Sequence, residues 1–172
     1  LPPSVPGLRL ERALRHACLR AGVNVVEGAR VTGVVDGRSG GRLVSGVVAQ
    51  TAGGPREITA DAVLLASGGI LHGGLIAMQD GRILESVFDL PVMHDDARGQ
   101  WTAQTPWEPQ PYATFGVSVN ETMQPIGKDG RPLFDNLFAA GGLLAGADRT
   151  LEGSRQGIDL ATAFAAVGVI LG

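Results

Sequence analysis

Two glycine pairs, each placed at the end of a short apolar run, are the residues whose types and spacing point to chemistry. Gly68-Gly69, preceded by Ser67, follows the run 63–66. Gly141-Gly142 follows a second run at 137–140. Because glycine has no Cβ, its backbone amides can approach a flat or phosphorylated ligand closely. Open α/β sheets bind ligands beyond the carboxyl ends of such strands, so the two pairs predict one shared ligand site. Glycine corners packed for structural reasons alone are the alternative.

A predicted helix start follows the second glycine pair. Apolar residues recur there at three- and four-residue steps and predict one helical face. They are Ile158, Ala161, Phe164, Ala165, Gly168 and Leu171. The amino end of this helix would direct unpaired amides and a positive dipole end at the glycines. Arg149 and Arg155 flank the preceding loop and are candidates for binding a phosphate or carboxylate. A surface ion pair or a helix-end contact is an equal alternative for both.

Histidines supply the other candidates for catalysis. His72 follows the first glycine pair closely and is a candidate general acid or base. His94-Asp95-Asp96 resembles a metal cluster, but adjacent residues in an extended chain do not converge on one ion. We therefore predict a surface turn there and no metal site. The sequence contains no zinc spacing, nucleophile elbow, phosphate-binding P-loop or G-x-G-x-x-G fingerprint. A dinucleotide site on such a sheet normally begins with that fingerprint, so we expect an N-terminal segment that carries it to be missing from this sequence.

Composition excludes several classes of function. The 172 residues suffice for one domain with a core, and the formal charge of −3 without a dense basic stripe disfavours nucleic acid as a partner. A single cysteine, Cys18, excludes an internal disulfide and a cysteine-built metal site. It lies on the apolar face of a predicted helix, where we expect it to be buried. No apolar run reaches membrane-spanning length, and a reducing, cytoplasmic setting is the default expectation.

The elements that position these residues follow from periodicity. The first is an amphipathic helix that ends at Gly22, with its apolar side formed by Leu10, Ala13, Leu14, Ala17, Cys18 and Ala21. Strand-like segments at 23–26, 29–35, 43–50 and 56–59 predict a small meander of hairpins. The run 63–66 lacks alternation and predicts a central parallel strand covered on both faces.

Residues 70–132 differ from the rest in being rich in proline and poor in periodicity. The segment 114–119 is the one convincing strand there. We interpret 70–132 as an inserted cap or second lobe, with 1–69 and 133–172 forming the main α/β domain. The predicted fold class is therefore α/β, as part of a Rossmann-like domain with an attached β-meander.

Motifs spread along the whole chain resemble one family. They are LPPSVPGLRLERAL, ADAVLLASGG, GGLIA, RGQW, PQPYATFGV and NLFAAGG. With them the chain resembles the C-terminal part of the B subunit family of anaerobic glycerol-3-phosphate dehydrogenase. These are flavoproteins related to the fumarate-reductase-type flavin enzymes.

The resemblance implies a flavin-binding domain, with FMN or FAD as the cofactor. It also implies a complex in which a homologue of the A subunit oxidises sn-glycerol 3-phosphate to dihydroxyacetone phosphate. A homologue of the iron–sulfur C subunit would anchor the pair at the inner membrane and pass electrons to quinone. The protein would then be cytoplasmic and reach the membrane only through its partners.

The resemblance also assigns cofactor-binding residues. Ser67, Gly68 and Gly69 would lie at the flavin, and Gly141 and Gly142 beside its ribityl chain. Many relatives place a glutamate where this chain has Gly142, so that side-chain contact is absent. Backbone amides of Gln156, Gly157 and Ile158 could bind the pyrimidine edge of the flavin and stabilise negative charge on the ring.

The leading prediction is thus a subunit of a flavin-dependent oxidoreductase, and two alternative functions stay open. One is a non-catalytic electron-relay or scaffold subunit that docks the catalytic partner, and the other is a different oxidoreductase of the same flavin superfamily. By itself, the fragment is expected to be inactive, to bind no flavin tightly and to self-associate through exposed apolar surface.

Overall fold

A computed structural model describes residues 4–36, 41–149, 151–154 and 156–172. The described part contains two α-helices and nine strands, which confirms the predicted α/β class. The helices are α1 (Val5–Arg20) and α2 (Gln156–Leu171). The strands are β1 (Arg30–Asp36), β2 (Val44–Thr51), β3 (Gly54–Thr59), β4 (Val63–Leu65), β5 (Leu75–Ala77), β6 (Ile83–Glu85), β7 (Val92–Met93), β8 (Gly116–Val117) and β9 (Leu137–Ala139). Single 3₁₀ turns lie at Ile70–His72, Arg98–Gln100, Pro111–Thr114 and Gly141–Leu143.

Helix α1 begins and ends where its local sequence favours it. The Ser4 hydroxyl accepts a hydrogen bond from the Gly7 amide at 3.3 Å, which caps the first turn. Gly22 follows the helix with a φ of 78°, a conformation that glycine adopts without strain. The expectation that Cys18 is buried is wrong, because it is only half-buried and no described residue of α1 is fully buried.

The segment 23–26 is extended but is not a strand, which corrects the sequence prediction. Its valines are between 38% and 49% exposed. β-branched residues favour strands only where a neighbouring strand packs against them, and the described residues provide none here. The segment is instead attached to α1 by the ion pair of Arg15 with Glu27. The hydrogen bond and the charge of Arg15 lower the pKa of Glu27.

Strands β1, β2 and β3 form the predicted antiparallel meander, in that order. Gly46 lies in the middle of β2 because a side chain would not fit there. A Cβ at this position would lie 2.3 Å from the Ile58 carbonyl oxygen on β3. The meander packs inward through Val44 and Ala49, each only 2% exposed.

Asn136 attaches the meander to the central strands. Its amide oxygen accepts from the Val44 amide at 2.9 Å, and its nitrogen donates to the carbonyls of Val44 and Asp61, each at 2.8 Å. Next to it, Arg42 and Asp135 form an ion pair at 2.6 Å. These contacts fix the start of β9 relative to β2 and β4.

Strands β4 and β9 pair in parallel, which confirms the parallel strand predicted at 63–66, but among the described residues β4 is not central because its sheet has only these two strands. Val63 is opposite Leu137, and Leu65 is opposite Ala139. Beyond the last pair, the Ala140 amide donates to the Leu65 carbonyl at 3.0 Å. Leu137 and Ala139 are fully buried, so this strand pair lies in the hydrophobic core.

Residues 70–132 contain the short hairpin β5–β6 and the antiparallel strand pair β7–β8, whose strands are separated by residues 94–115. The strand predicted at 114–119 is limited to β8, because a 3₁₀ turn that starts at Pro111 occupies the preceding residues. Side chains of this segment belong to the same core cluster as those of β4 and β9: Leu75, Ile83, Leu90, Trp101, Phe115 and Val117. The division into a main domain and a cap stays a prediction.

Helix α2 leaves much of its apolar surface exposed. Leu160 is 71% exposed, Phe164 83% and Leu171 80%, whereas Ala166 is fully buried. Neither of the helices in the described ranges combines the length and apolarity needed to cross a lipid bilayer.

Candidate functional site

The two glycine ends identified in the sequence meet at one edge of the sheet. A Cβ on Gly69 would lie 2.6 Å from the Gly142 carbonyl oxygen, and one on Gly142 would lie 3.7 Å from the Gly69 nitrogen. The contact is therefore between two backbones, and a side chain on Gly69 would prevent it. It arises because β4 and β9 are parallel, so their carboxyl ends reach the same edge.

A cavity of about 660 Å³ adjoins this edge, within the usual range for small-molecule sites. Gly69, Gly142 and the turn Ile70–His72 form one part of its wall. Other residues that line it are Pro106, Trp107, Glu108, Pro109, Gln110, Tyr112, Ala113, Phe115, Ala147, Asp148, Arg149 and Leu151. The cavity thus combines aromatic surface, backbone polar groups and charged side chains.

Four of the residues predicted from the sequence line this cavity: Gly69, His72, Gly142 and Arg149. His72 is exposed and lies in the 3₁₀ turn after the first glycine pair. Gly68 places this turn, because its φ of 79° is left-handed and a Cβ there would lie 2.6 Å from the His72 Cβ. Arg155 lies outside the described residues.

Arg149 extends across Gly142. Its guanidinium forms an ion pair with Asp159 of α2, and a Cβ on Gly142 would lie only 2.9 Å from the Arg149 Nη1. The absence of a side chain at position 142 therefore leaves the space in which the guanidinium lies. Of the two alternatives for Arg149, the structure contains the helix-end ion pair, and the same side chain also lines the cavity.

Gly141 contacts α2 directly. Its amide donates to the Thr162 hydroxyl at 2.9 Å, and that hydroxyl donates to the Ile158 carbonyl at 2.6 Å. Its φ is 75°, and a Cβ would lie 2.8 Å from the Asp159 Oδ1. Gly141 therefore fixes the first turn of α2 against the end of β9.

Ser67 lies behind the first glycine pair, outside the cavity lining. Its Oγ is buried and has no hydrogen-bond partner among the described residues. A Cβ on Gly74 would lie 2.7 Å from this oxygen, so the turn from Gly68 to Gly74 packs over it. A buried hydroxyl without a partner is costly, and the packing of this turn separates it from the cavity, so a role of Ser67 toward a flavin stays a prediction.

The start of α2 also lies outside the cavity lining among the described residues. Gln156 and Gly157 are exposed and Ile158 is half-buried. The Gly157 amide donates to the Ser154 carbonyl at 2.7 Å and is thus already engaged. A role of Gln156 and Ile158 toward the flavin stays a prediction.

Two contributors to the site were not found from the sequence. Asp148 is only 7% exposed, and its carboxylate accepts from the Leu151 amide at 2.9 Å. It therefore fixes the loop that carries Arg149. Trp107 is 94% exposed although it lines the cavity. The aspartate within the sequence G-A-D-R was the available signal for Asp148. Nothing in the sequence periodicity indicated Trp107.

The predicted surface turn at 94–96 is correct for Asp95 and Asp96, which are exposed, and wrong for His94. The His94 ring is half-buried and stands edge-on to Trp101 and Phe115, with centroid distances of 6.2 Å to each. No group of three or more His, Cys, Asp or Glu side chains in the described ranges is arranged to hold a metal ion.

Paired parallel strands that end on glycine beside an aromatic-lined cavity are typical of α/β domains that bind a cofactor. Comparison with known proteins identifies the class: the profile of the FAD binding domain family matches residues 1–157. The chain belongs to this family, and the flavin-binding fold expected from the sequence is confirmed.

Individual relatives confirm the resemblance to the B subunit family that the sequence motifs indicated. The chain is 35% identical over 165 residues to a Halobacterium salinarum protein named as the probable B subunit of anaerobic glycerol-3-phosphate dehydrogenase. It is 34% identical over 165 residues to a Yersinia pestis protein and 34% over 166 residues to a Pectobacterium atrosepticum protein, both named as the B subunit of that enzyme. These alignments cover 95–96% of this chain but only 37–38% of each relative's length.

Proposed function

We propose that this chain is part of the flavin-binding domain of a flavin-dependent oxidoreductase subunit, that of an anaerobic glycerol-3-phosphate dehydrogenase. The reaction would oxidise sn-glycerol 3-phosphate to dihydroxyacetone phosphate and pass the electrons to quinone. The observation that carries the proposal is the meeting of Gly69 and Gly142 at the mouth of a cavity, in a chain of the FAD binding domain family.

The residues present fit a flavin. Gly69 and Gly142 adjoin a cavity of about 660 Å³ that Trp107, Tyr112 and Phe115 also line, which suits a flat aromatic ligand in size and lining. We assign the cofactor to the segments 67–69 and 141–142, and to the amino end of α2 at Gln156 and Ile158. The proposed cofactor is FMN or FAD. When bound, the flavin supplies a ring that accepts two electrons and can release them singly.

The chain's own residues would bind the flavin and orient it. The Arg149 cation beside Gly142 and the positive end of α2 would favour an anionic group or negative charge at this edge. Asp159 holds the guanidinium in place through its ion pair. His72 could hold the proton released when an alcohol becomes a ketone, because its imidazole lines the cavity.

We further propose that residues 70–132 act as a cap over the flavin domain. The support is that eight of the residues 106–115 line the same cavity as Gly69 and Gly142. In this arrangement the cap and the sheet edge together would exclude water from the ligand.

A relay or scaffold role within the complex is the second candidate function. It is favoured by the exposed apolar side of α2, where Leu160, Phe164 and Leu171 are at least 71% exposed. Such a surface is typical of a site that another polypeptide covers. Homologues of the A subunit and of the iron–sulfur C subunit are the proposed partners. The protein would then be cytoplasmic and peripheral to the inner membrane through those partners.

Flavin content and substrate reduction of the complete polypeptide test the proposal. We expect stoichiometric flavin in the purified protein, identified as FMN or FAD after release from the denatured protein. Loss of the flavin absorbance near 450 nm on adding sn-glycerol 3-phosphate, on the order of minutes or faster, indicates catalysis by this polypeptide. Bound flavin that bleaches only when the homologue of the A subunit is present indicates a relay. A protein without flavin would refute the proposal.

A further inference from the structure

Trp107 is an exposed aromatic residue at the rim of the cavity. It is 94% exposed and lines the cavity, as do the exposed Leu71 and Leu151. The second tryptophan provides a contrast within the same chain. Trp101 is 7% exposed, and its indole N–H donates to the Asp95 carbonyl at 2.6 Å. Trp101 is thus a core residue, whereas Trp107 has almost no contact within the described part of the chain.

The loop that carries Trp107 is fixed by Gln110. Its side-chain oxygen accepts from the Ala103 amide at 3.1 Å, and its nitrogen donates to the carbonyls of Thr105 and Glu108 at 2.8 and 2.9 Å. Prolines at 106, 109 and 111 restrict the same backbone. These bonds and prolines therefore restrain the backbone from which the indole extends at the cavity rim.

We propose that Trp107 is a ligand-contacting residue whose indole lies against the conjugated ring of the flavin. The inference rests on the proposed function and adds a residue that neither the strand ends nor the sequence motifs indicate. Gly69 and Gly142 form part of the wall of the same cavity. Trp107, Tyr112 and Phe115 supply aromatic surface around the same cavity. Aromatic rings favour such offset or edge-on contacts.

The chemistry of the alternatives favours the flavin as the occupant. sn-Glycerol 3-phosphate is small, saturated and strongly polar, so it offers no aromatic face to an indole. A cavity of about 660 Å³ also corresponds to a ligand considerably larger than that molecule. A flat conjugated ring satisfies both the size and the aromatic lining. The competing explanation for the exposure of Trp107 is that another polypeptide covers it, and a flavin titration separates this explanation from flavin binding.

The test uses the complete polypeptide labelled with 5-fluorotryptophan and titrated separately with FMN and with FAD. The ¹⁹F resonances of the two tryptophans are assigned by their loss in the Trp107→Phe and Trp101→Phe variants. We expect the Trp107 resonance to shift or broaden as flavin binds, while the Trp101 resonance keeps its position. Because Trp107 is 94% exposed, its substitution does not disturb the core.

Affinity gives the second readout. Trp107→Ala should raise the flavin dissociation constant about three- to tenfold, and Trp107→Phe by less than about twofold, because phenylalanine keeps an aromatic face. Gln110→Ala should weaken binding in the same direction by releasing the loop. If flavin binds but leaves the Trp107 resonance and the affinity of Trp107→Ala unchanged, the inference is overturned while the proposed function stands. If the complete polypeptide binds neither flavin, both are overturned.

Discussion

Replacing Gly69 with alanine should force apart the two strand ends that form the candidate site. The new methyl group would lie 2.6 Å from the Gly142 carbonyl oxygen, well inside ordinary van der Waals contact of 3.4–4 Å. The opposing atom belongs to the backbone of the 3₁₀ turn Gly141–Leu143, so it cannot turn away as a flexible side chain would. Gly69 has a φ of −87°, so the change adds no left-handed strain and the effect is purely steric.

The expected cost is that of overpacking a well-packed site, about 1–3 kcal/mol of unfolding free energy. For a urea slope of about 2 kcal/mol/M, the unfolding midpoint falls by about 1 M. Urea titration of the complete polypeptide, followed by circular dichroism, measures this shift. Flavin affinity should fall in the same variant, because the backbone edge that adjoins the cavity widens.

Two further glycines provide matched controls. Gly99→Ala adds a methyl group with no atom within 4 Å, so its midpoint should stay within about 0.3 M of the wild type. Gly142→Ala should fall between the two, because its methyl group meets the Arg149 Nη1 at 2.9 Å and that side chain can move. Equal midpoints for Gly69→Ala and Gly99→Ala would refute the close backbone contact on which the site depends.

Three other predictions concern the surroundings of the site. Asn136→Ala removes three hydrogen bonds, two of them to the backbone of buried Val44. The variant should lose about 2–4 kcal/mol of unfolding free energy in urea, and a loss under about 0.5 kcal/mol would contradict the attachment of the meander through Asn136. The pKa of Asp80 should be below its ordinary value in an NMR titration, because the Arg82 amide and then its side chain bond the carboxylate; Arg82→Ala should raise it only partly, since the amide remains, and a full return to the ordinary value would contradict this order of causes. The stability that the Asp80 carboxylate gains from Arg82 is present above the ordinary pKa of Asp80 and is lost as pH falls through its lowered pKa. The 172-residue chain alone should self-associate in gel filtration, and Phe164→Glu should shift it toward a monomer, because Phe164 is 83% exposed; an unchanged profile for that variant would exclude this face.

Local patterns were sufficient to predict the parts of the fold that depend on neighbouring residues. The periodicity of α1 and α2, the turn residues between β2 and β3 and the apolar run of β4 each specify a local structure. The glycines after β4 and β9 also predicted the meeting of the two strand ends, because parallel strands share an edge. Those are the features for which sequence and tertiary structure agree.

The sequence predictions were wrong where contacts beyond the local sequence determine the structure. Residues 23–26 have strand-forming side chains but no strand beside them in the described part of the chain. The segment 114–119 is cut short at β8 because the 3₁₀ turn Pro111–Thr114 occupies its start. Cys18 lies on an apolar helix face that no described element covers. The exposure of Trp107 likewise depends on the three hydrogen bonds of Gln110, which connect residues up to seven positions apart.

The central claim is that backbone groups of Gly69 and Gly142 form the edge on which a flavin binds. Glycine-selective ¹⁵N labelling of the complete polypeptide, with resonances assigned by substitution, observes these two amides directly during a flavin titration. We predict that the Gly69 and Gly142 signals shift in proportion to bound flavin, whereas those of Gly54 in the meander and Gly168 in α2 remain in place. Saturating flavin that leaves the Gly69 and Gly142 signals unmoved would contradict the account.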